Sequence, residues 1–202
     1  NPPKEFRATS TTITQLVDTA GKLSQNRRGA LIVVDLGSDL RPEDFLYSGT
    51  NIEAKLSTDL LINLFATDTP LHDGAVLVKG NKIISAGVIL PLSRQGISRY
   101  GTRHLAALGI TERFDRCICI VVSEETGTLS LANQGKLERP ITSSRLQELL
   151  VNLIGNKNSL GTSKSSLSKN ALSQKTGPSD NIASDINEKE SKKSEVFINK
   201  KE

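Results

Sequence analysis

Two short segments hold the side chains of this sequence that could do chemistry, and they lie about thirty residues apart. Residues 71–75 read Leu-His-Asp-Gly-Ala, and residues 101–105 read Gly-Thr-Arg-His-Leu. Each segment contains one of the only two histidines in the chain. Carboxylate, imidazole, guanidinium and hydroxyl groups beside glycine are the groups needed to hold a polyphosphate and a divalent metal ion. The two segments together therefore predict a site for a phosphorylated ligand.

The second segment has the features of an anion site. Thr102 is a suitable N-cap for a following helix, whose start offers free backbone N–H groups and the positive end of the helix dipole. Arg103 adds a fork of donors that suits phosphate oxygens, and His104 adds another donor. A capped surface helix that carries a solvated arginine is the alternative interpretation.

The first segment combines room for a ligand with groups that bind metal ions. Gly74 and Ala75 add little bulk beside the backbone, so a ligand can approach closely. Asp73 can bind a metal ion or take a proton from a hydroxyl group. His72 can give an imidazole nitrogen to Mn²⁺ or Mg²⁺, although magnesium prefers oxygen. The alternative is a tight turn into a strand, with His72 hydrogen-bonded to the backbone.

A third polar segment, residues 123–127 (Ser-Glu-Glu-Thr-Gly), follows an apolar run at residues 117–122. Carboxylates at the carboxyl end of a buried strand often face a ligand crevice. A charged turn that leads into a hairpin fits the same residues equally well. Within the apolar run, Cys117 and Cys119 alternate, so they share one face of a strand and are poorly placed for a disulfide. We interpret them as small buried side chains in a reducing compartment.

Hydrophobic patterns predict the strands that position these segments. Short apolar runs at residues 30–34 and 117–122 predict strands buried on both faces. Turn residues at 80–81 and at 133–135 predict two β-hairpins. Residues 35–50, with three turn-forming Gly and Pro residues, are expected to form a loop.

Helical spacing of apolar residues predicts the remaining elements. A one-faced helix is predicted over residues 13–23, a second after a cap at Ser57, a third after Thr102 and a closing helix over residues 146–153. Because strands and helices mix, with hairpins as well as crossovers, we expect an α/β fold. Its mixed central β-sheet should be flanked by helices on both faces.

Charge and composition divide the chain into parts. Residues 1–154 carry nearly all the apolar runs, with 17 Lys and Arg against 16 Asp and Glu, whereas residues 155–202 are polar and carry 9 Lys against 6 Asp and Glu. The net charge of +4 comes mostly from the second part. The nearly neutral first part has no basic stripe interleaved with aromatics, which argues against a nucleic-acid-binding domain. We predict a linker over 1–10, a folded domain over 11–154 and a disordered polar tail over 155–202.

Four segments together resemble the diadenylate cyclase domain, over about residues 13–153. They are residues 71–75, 90–92 (Leu-Pro-Leu), 101–104 and 122–127, in the order and spacing of that family. The resemblance implies a nucleotidyltransferase that condenses two ATP molecules into the second messenger cyclic di-AMP and releases two pyrophosphates. It also implies a divalent metal cofactor, Mn²⁺ or Mg²⁺, and a face-to-face homodimer, because each domain binds one ATP.

The resemblance also assigns roles to individual positions. It implies catalysis by Asp73, Arg103 and His104, with Asp73 assisting the attack of a 3′-hydroxyl group. Metal ligation is implied for His72, Asp73 and Glu125. ATP binding is implied for Gly74, Ala75, Leu90 (in the adenine pocket), Thr102, Arg103, His104 and Ser123.

Two positions depart from the pattern of the family. Relatives usually have an Arg-His-Arg motif, and this chain has Leu105 at its third position. Just before Leu90, relatives often have an aromatic residue that stacks on adenine, and this chain has Ile89. An aliphatic side chain there gives up a ring–ring contribution of about 1 kcal/mol. We expect Leu105 to be tolerated, and the alternative is an ATP-binding regulatory module with reduced or lost cyclase activity.

The resemblance is to the membrane-anchored cyclase A branch, in which a hydrophobic N-terminal region precedes the first predicted helix. The chain begins at Asn1 and contains no Met, so we expect an upstream region to be missing. The expected localisation is that of a cytoplasmic domain of a membrane-anchored protein. The membrane would be reached only through that missing region.

Overall fold

The structure, a computed structural model, describes residues 4–95 and 99–155, with side chains from Thr9 onward. The predicted polar tail over 155–202 lies outside the described residues apart from Gly155. The described helices are α1 (Lys4–Gln25), α2 (Thr58–Leu64), α3 (Thr102–Arg113) and α4 (Ser143–Leu150), which continues as a π-helical turn over Val151–Gly155. The described strands are β1 (Ala30–Asp35), β2 (Thr50–Lys55), β3 (Ala75–Lys79), β4 (Lys82–Val88), β5 (Cys117–Val122), β6 (Leu129–Asn133) and β7 (Lys136–Ile141).

The seven strands form one sheet in the order β2-β4-β3-β1-β5-β6-β7. β1 and β3 are parallel, and the other neighbouring pairs are antiparallel. Each face of the sheet has its own core. Ile118, Ile120 and Val122 pack with α1, α2 and α4, while the alternating residues of the same strand pack with α3. The predicted mixed sheet with helices on both faces is confirmed.

The buried cysteines follow this alternation. Cys117 and Cys119 both belong to the core on the α3 side, both are fully buried, and both are free thiols. Burial raises the pKa of Cys119 well above its usual value, and its contact with Cys117 acts in the same direction. The thiol is therefore protonated and unreactive at neutral pH, as the interpretation of these residues as small buried side chains predicts.

Local signals in the sequence account for several element boundaries. Ser57 caps α2, and its side-chain oxygen accepts a hydrogen bond from the backbone N–H of Leu60 at 3.2 Å. Thr142 caps α4 in the same way, because its side-chain oxygen accepts a hydrogen bond from the backbone N–H of Arg145 at 3.1 Å. The predicted hairpin turn at residues 80–81 joins β3 to β4.

Two predictions about elements are wrong in detail. α1 begins at Lys4, so residues 4–10, which were predicted to be a linker, are helical. The predicted loop over residues 35–50 contains a 3-10 turn at Pro42–Asp44 and leads into β2, which was not predicted. β2 is an edge strand in which every residue is exposed or half-buried. It therefore lacks the apolar run or clean alternation that marks a strand in a sequence.

Residues that are distant in the sequence lie together at one end of the central strands. Because β1 and β3 are parallel, they begin at the same end of the sheet, and the antiparallel strands β4 and β5 finish there. The segment before β3 (residues 71–74), the residues after β4 (89–90) and the turn after β5 (123–127) therefore meet at this end of the sheet. The N-terminus of α3 lies beside them, as their shared cavity shows.

Candidate active site

A cavity of about 430 Å³ opens at this end of the central strands. Both of the segments singled out in the sequence contribute to its wall, because His72 and Asp73 lie beside Thr102 and Arg103. The remaining polar group is the Glu124 carboxylate. The rest of the wall is apolar or glycine and consists of Leu31, Gly74, Val88, Ile89, Leu90, Leu92 and Ala106.

A second cavity of about 370 Å³ shares Thr102, Arg103 and Glu124 with the first. Two further arginines line it, Arg99 and Arg139, and neither was predicted from the sequence. Arg139 lies on β7, and its guanidinium stands 5.7 Å from the centroid of the Tyr100 ring. The other lining residues are Gly101, His104, Val121, Val122, Ser123, Glu125 and Thr126. The three guanidinium groups outnumber the two carboxylates of this cavity, which suits it to an anion.

The start of α3 forms the boundary between the cavities. The N-cap is Gly101, and Thr102 is the first helical residue, so the prediction that Thr102 is the N-cap is wrong. The first N–H groups bonded back to the cap are those of His104 at 3.0 Å and Leu105 at 3.1 Å. The N–H groups of Thr102 and Arg103 precede these bonds, so they remain at the positive end of the helix.

Arg103 is held by an ion pair. Its Nη1 lies 2.9 Å from Oε2 of Glu124, in the turn after β5. The Arg103 side chain is 26% exposed and that of Glu124 is 61% exposed. A pair of this exposure contributes little to stability, so an anion of higher charge can replace the carboxylate at low cost.

His104 is buried beneath the second cavity. Its Nε2 lies 3.1 Å from Oγ of Ser130 on β6, and its ring centroid is 6.2 Å from that of Tyr100. Burial lowers the pKa of His104, and the positive charges of Arg139 and Arg103 lower it further. His104 is therefore a neutral imidazole at neutral pH. It lines the second cavity and is absent from the lining of the first.

His72 has a defined tautomer. Its Nδ1 lies 2.5 Å from the carbonyl oxygen of Thr69, which can only accept, so Nδ1 carries the proton. In this tautomer the lone pair is on Nε2, which is the atom that can bind a metal ion. The next residue, Asp73, has no hydrogen-bond or ion-pair partner for its carboxylate among the residues that the structure describes.

The predicted trio of metal ligands is not brought together. His72 and Asp73 share the first cavity, whereas Glu125 lines only the second. Within residues 4–95 and 99–155, no three His, Cys, Asp or Glu side chains are grouped to hold a metal ion. Glu124, the neighbour of Glu125, is the acid that reaches the first cavity. Position within the turn lets Glu124 reach both cavities and Glu125 only the second.

Gly74 is required by the backbone as well as by the cavity. Its φ is +127°, and a Cβ there would lie 2.8 Å from the carbonyl carbon of Gly87 and 3.0 Å from the oxygen of Val88. A side chain at position 74 would thus disrupt the pairing of β3 with β4. Ala75, which was predicted to pack against the nucleotide, is fully buried in the core beside α3 and lines neither cavity.

The two unusual positions of the sequence differ in their placement. Ile89 is 40% exposed at the first cavity, beside the buried Leu90, and its backbone is paired with that of Tyr47. Leu105 is 7% exposed and lines neither cavity. It packs inside the domain, and its carbonyl oxygen accepts from the N–H of Ser93 at 2.9 Å.

All of the residues that line the cavities except Arg139 lie in a region that matches a known family. A family model described as the DisA bacterial checkpoint controller nucleotide-binding domain matches residues 17–137. The chain belongs to this diadenylate cyclase family. The domain is 47% identical over 131 residues to a diadenylate cyclase of Listeria monocytogenes, covering 64% of this chain and 47% of the relative. It is 42% identical to cyclic di-AMP synthase CdaA of Bacillus subtilis, covering 69% of this chain and 50% of the relative.

A shorter relative is covered more completely. A diadenylate cyclase of Mycoplasma genitalium is 36% identical over 145 residues, with 70% of this chain and 71% of the relative covered. The chain nevertheless spans only about half the length of the Listeria and Bacillus relatives. The resemblance to diadenylate cyclases seen in the four sequence segments is confirmed.

Solved structures have the same fold as the described domain. DacA from Staphylococcus aureus, a double mutant, is 36% identical with a TM-score of 0.65, covering 72% of this chain and 96% of that one. A protein from Bacillus cereus described as a hypothetical membrane spanning protein is 41% identical with a TM-score of 0.59, covering 64% and 63%. Among the described helices of this chain, none has the length and apolar character to cross a membrane.

Proposed function

We propose that this domain is a diadenylate cyclase, which condenses two ATP molecules into cyclic di-AMP and releases two pyrophosphates. The observation that carries the proposal is the lining of the first cavity. It places the carboxylate of Asp73 and the imidazole of His72 in one wall with Thr102 and Arg103 at the start of α3. A group that can take a proton and a group that holds phosphate thus face the same space.

The apolar part of the first cavity suits the adenine ring. Leu31, Leu90, Leu92 and Ala106 present aliphatic surface, and Ile89 lies half-exposed at the position where relatives often stack an aromatic ring. A purine can pack on such a surface through dispersion and loss of apolar area from water. Its place in this lining supports the adenine role that we propose for Leu90.

The triphosphate would lie along the start of α3. The free N–H groups of the helix N-terminus and the Arg103 guanidinium would hold its oxygens. Arg103 would exchange the Glu124 carboxylate for phosphate when ATP binds. The second cavity, with Arg99, Arg139 and Ser123, would receive the phosphates that leave as pyrophosphate. His104, neutral and bonded to Ser130, would position this wall and contribute a neutral polar group beside it.

Asp73 is the proposed general base. Its carboxylate has no partner in the described part of the chain, so it is available to take the proton of a 3′-hydroxyl group. That hydroxyl would belong to one ATP and would attack the α-phosphorus of the other, displacing pyrophosphate. Positioning and neutralisation of charge on the phosphates would supply most of the rate, as in other phosphoryl transfers.

A divalent metal ion, Mn²⁺ or Mg²⁺, would fit between His72 and Asp73. Nε2 of His72 and one carboxylate would be its protein ligands, and phosphate oxygens of the substrate would complete the shell, as is usual for such ions in nucleotide sites. When bound, the ion would neutralise negative charge on the phosphates. Glu125 is not part of this set, because it lines only the other cavity.

Catalysis in this proposal needs two domains face to face. Each described domain has one Asp73 and one phosphate-binding helix start, which makes one ATP site. A symmetric product made from two ATP molecules implies a two-fold contact between identical sites. Attachment to a membrane would be through a region outside this sequence, and it would place the domain on the cytoplasmic side, where ATP is available.

Production of cyclic di-AMP tests the proposal. The protein is incubated with ATP and Mn²⁺, or with Mg²⁺, and the products are separated by chromatography, with Arg103→Ala as a comparison of lower activity. Cyclic di-AMP and pyrophosphate in a 1:2 ratio are expected from the wild-type chain. If ATP binds and no product forms with either metal, the alternative of an ATP-binding regulatory module is correct.

A further inference from the structure

We propose that Gly29 is a positioning residue for Arg103, because its missing side chain leaves the space in which the guanidinium lies. Gly29 directly precedes β1, and a Cβ built on it would stand 2.6 Å from Cζ, 2.7 Å from Nη1 and 2.9 Å from Nη2 of Arg103. Carbon atoms in proteins do not approach so closely. An alanine at position 29 and the guanidinium therefore cannot both keep their places. This inference rests on the proposed function, in which Arg103 binds phosphate.

The guanidinium is enclosed from two directions. Gly29 faces it from the segment before β1, and Glu124 binds Nη1 at 2.9 Å from the turn after β5. Since Ala30 is paired with Val122 in the sheet, these two segments are fixed relative to each other. Together they hold the charged end of Arg103 at the wall shared by the two cavities.

A side chain at position 29 would move the guanidinium and leave the fold intact. The three nearest atoms all belong to the far end of Arg103, which has several rotatable bonds, and no backbone atom is among them. Gly29 is absent from the residues with positive φ, so alanine can adopt its backbone conformation without strain. The backbone before β1 is held by strand pairing, so we expect the side chain of Arg103 to move and the backbone to stay in place.

The test is Gly29→Ala, with Gly21→Ala as a matched control. Gly21 lies on α1, where a Cβ would meet only Oγ of Ser143, at an ordinary 3.5 Å. We expect Gly29→Ala to lower kcat/KM for ATP about tenfold with a Tm within about 2 °C of wild type, the scale of a small stability change in a domain of this size. Gly21→Ala should leave kcat/KM unchanged.

A double-mutant cycle separates positioning from a general structural effect. In an Arg103→Ala background, Gly29→Ala should have no further effect on kcat/KM, because the group it displaces is already gone. If the double variant loses kcat/KM by the product of the two single effects, the inference is overturned. A fall in Tm of more than about 5 °C for Gly29→Ala would overturn it too. Such a fall would show that the backbone moves instead of the arginine.

The same cycle distinguishes failure of the inference from failure of the proposed function. If the wild-type chain makes no cyclic di-AMP, the four proteins of the cycle (wild type, the two single variants and the double variant) are compared by their Kd for ATP, measured by calorimetry. A loss of affinity in Gly29→Ala that disappears in the Arg103→Ala background supports the positioning role without turnover. If neither Gly29→Ala nor Arg103→Ala alters the affinity for ATP, the positioning role is overturned.

Discussion

Nη1 of Arg103 and Oε2 of Glu124 lie 2.9 Å apart, and this ion pair stands in the wall that separates two cavities. Both partners contribute to both cavities. The guanidinium that would bind phosphate is therefore already bound to a carboxylate of the same chain. In the proposed function an incoming triphosphate has to compete with Glu124, so the strength of this pair would set part of the affinity for ATP.

Glu124→Gln removes this competition and should lower the KM for ATP about two- to fivefold. An exposed ion pair contributes up to about 1 kcal/mol, which corresponds to a factor of about five. Initial rates measured over a range of ATP concentrations give the KM. Glu43→Gln is the control, since the Glu43 carboxylate is about as exposed as that of Glu124 and pairs with Arg41, and neither residue lines the two cavities. A rise in KM for Glu124→Gln would mean that this carboxylate holds part of the substrate complex.

Asp73→Asn keeps the shape of the side chain and removes both its charge and its ability to take a proton. Turnover should fall about 100-fold or more, the usual scale for loss of a general base. ATP binding should persist, because Arg103 and the start of α3 are unchanged. Single-turnover rates and calorimetric titration with ATP measure the two effects separately. Cyclic di-AMP synthesis at the wild-type rate would show that Asp73 is only a turn residue.

The stability of the domain should depend on His104 below neutral pH. Burial, Arg139 and Arg103 lower the pKa of His104 from its usual 6.5, so the folded state favours the neutral ring. Between the folded and unfolded pKa values the unfolded chain binds more protons, so stability is present above pH 6.5 and is lost as the pH falls below it.

Melting temperatures across pH 5 to 8, measured for wild type and His104→Gln, test this dependence. Glutamine keeps a group that can bond to Ser130, and it does not titrate. The variant should lack the part of the fall in Tm that begins near the usual pKa of histidine. Identical pH profiles for the two proteins would mean that His104 binds protons equally in the folded and unfolded states.

Thr142→Ala should lower the free energy of unfolding by about 1 kcal/mol with unchanged turnover. The side chain accepts from the N–H of Arg145, and its loss leaves that donor without its capping partner. For a domain of this size the fall in Tm is about 2–4 °C. Ser144→Ala is the control, because Ser144 is exposed within the first turn and is not the cap. Equal Tm values for the two variants would contradict the role of the cap.

Specific activity should rise with protein concentration and then level off. In the proposed face-to-face arrangement two domains have to meet for each cyclic di-AMP, so the active fraction would follow the monomer–dimer equilibrium. Initial rates from nanomolar to micromolar protein, with sedimentation on the same samples, measure both quantities. A constant specific activity in a sample that sediments as a monomer would exclude the face-to-face arrangement.

The sequence predicts those parts of the fold that have a strong local signal. The amphipathic pattern of α1, the apolar runs of β1 and β5, and the turn residues of the two hairpins all correspond to elements of the structure. β2 was missed because an edge strand with mostly polar side chains has no such signal. The cap of α3 was misplaced by one residue, because Thr102 and Gly101 are both acceptable caps and tertiary packing decides between them.

The site was predicted as a set of residues, and its division into two cavities was not. His72, Asp73, Thr102 and Arg103 were expected together and share one cavity. Arg139 was missed because it reaches the second cavity from β7, through strand pairing that no local spacing in the sequence reveals. Side chains alternate between the two faces of the sheet only within a strand, and this pattern stops where the turn begins. For this reason the sequence does not determine whether Glu124 or Glu125 faces the first cavity.

The wall of the first cavity comes from separate parts of the chain, from Leu31 at the start of β1 to Glu124 after β5. No single segment forms it, so a nucleotide in this cavity binds the complete domain and has no site on the unfolded chain. Such a ligand raises the free energy of unfolding by mass action, by about 2.7 kcal/mol when its concentration is 100 times Kd. The supply of nucleotide would therefore set how often the domain unfolds, as well as how fast it reacts.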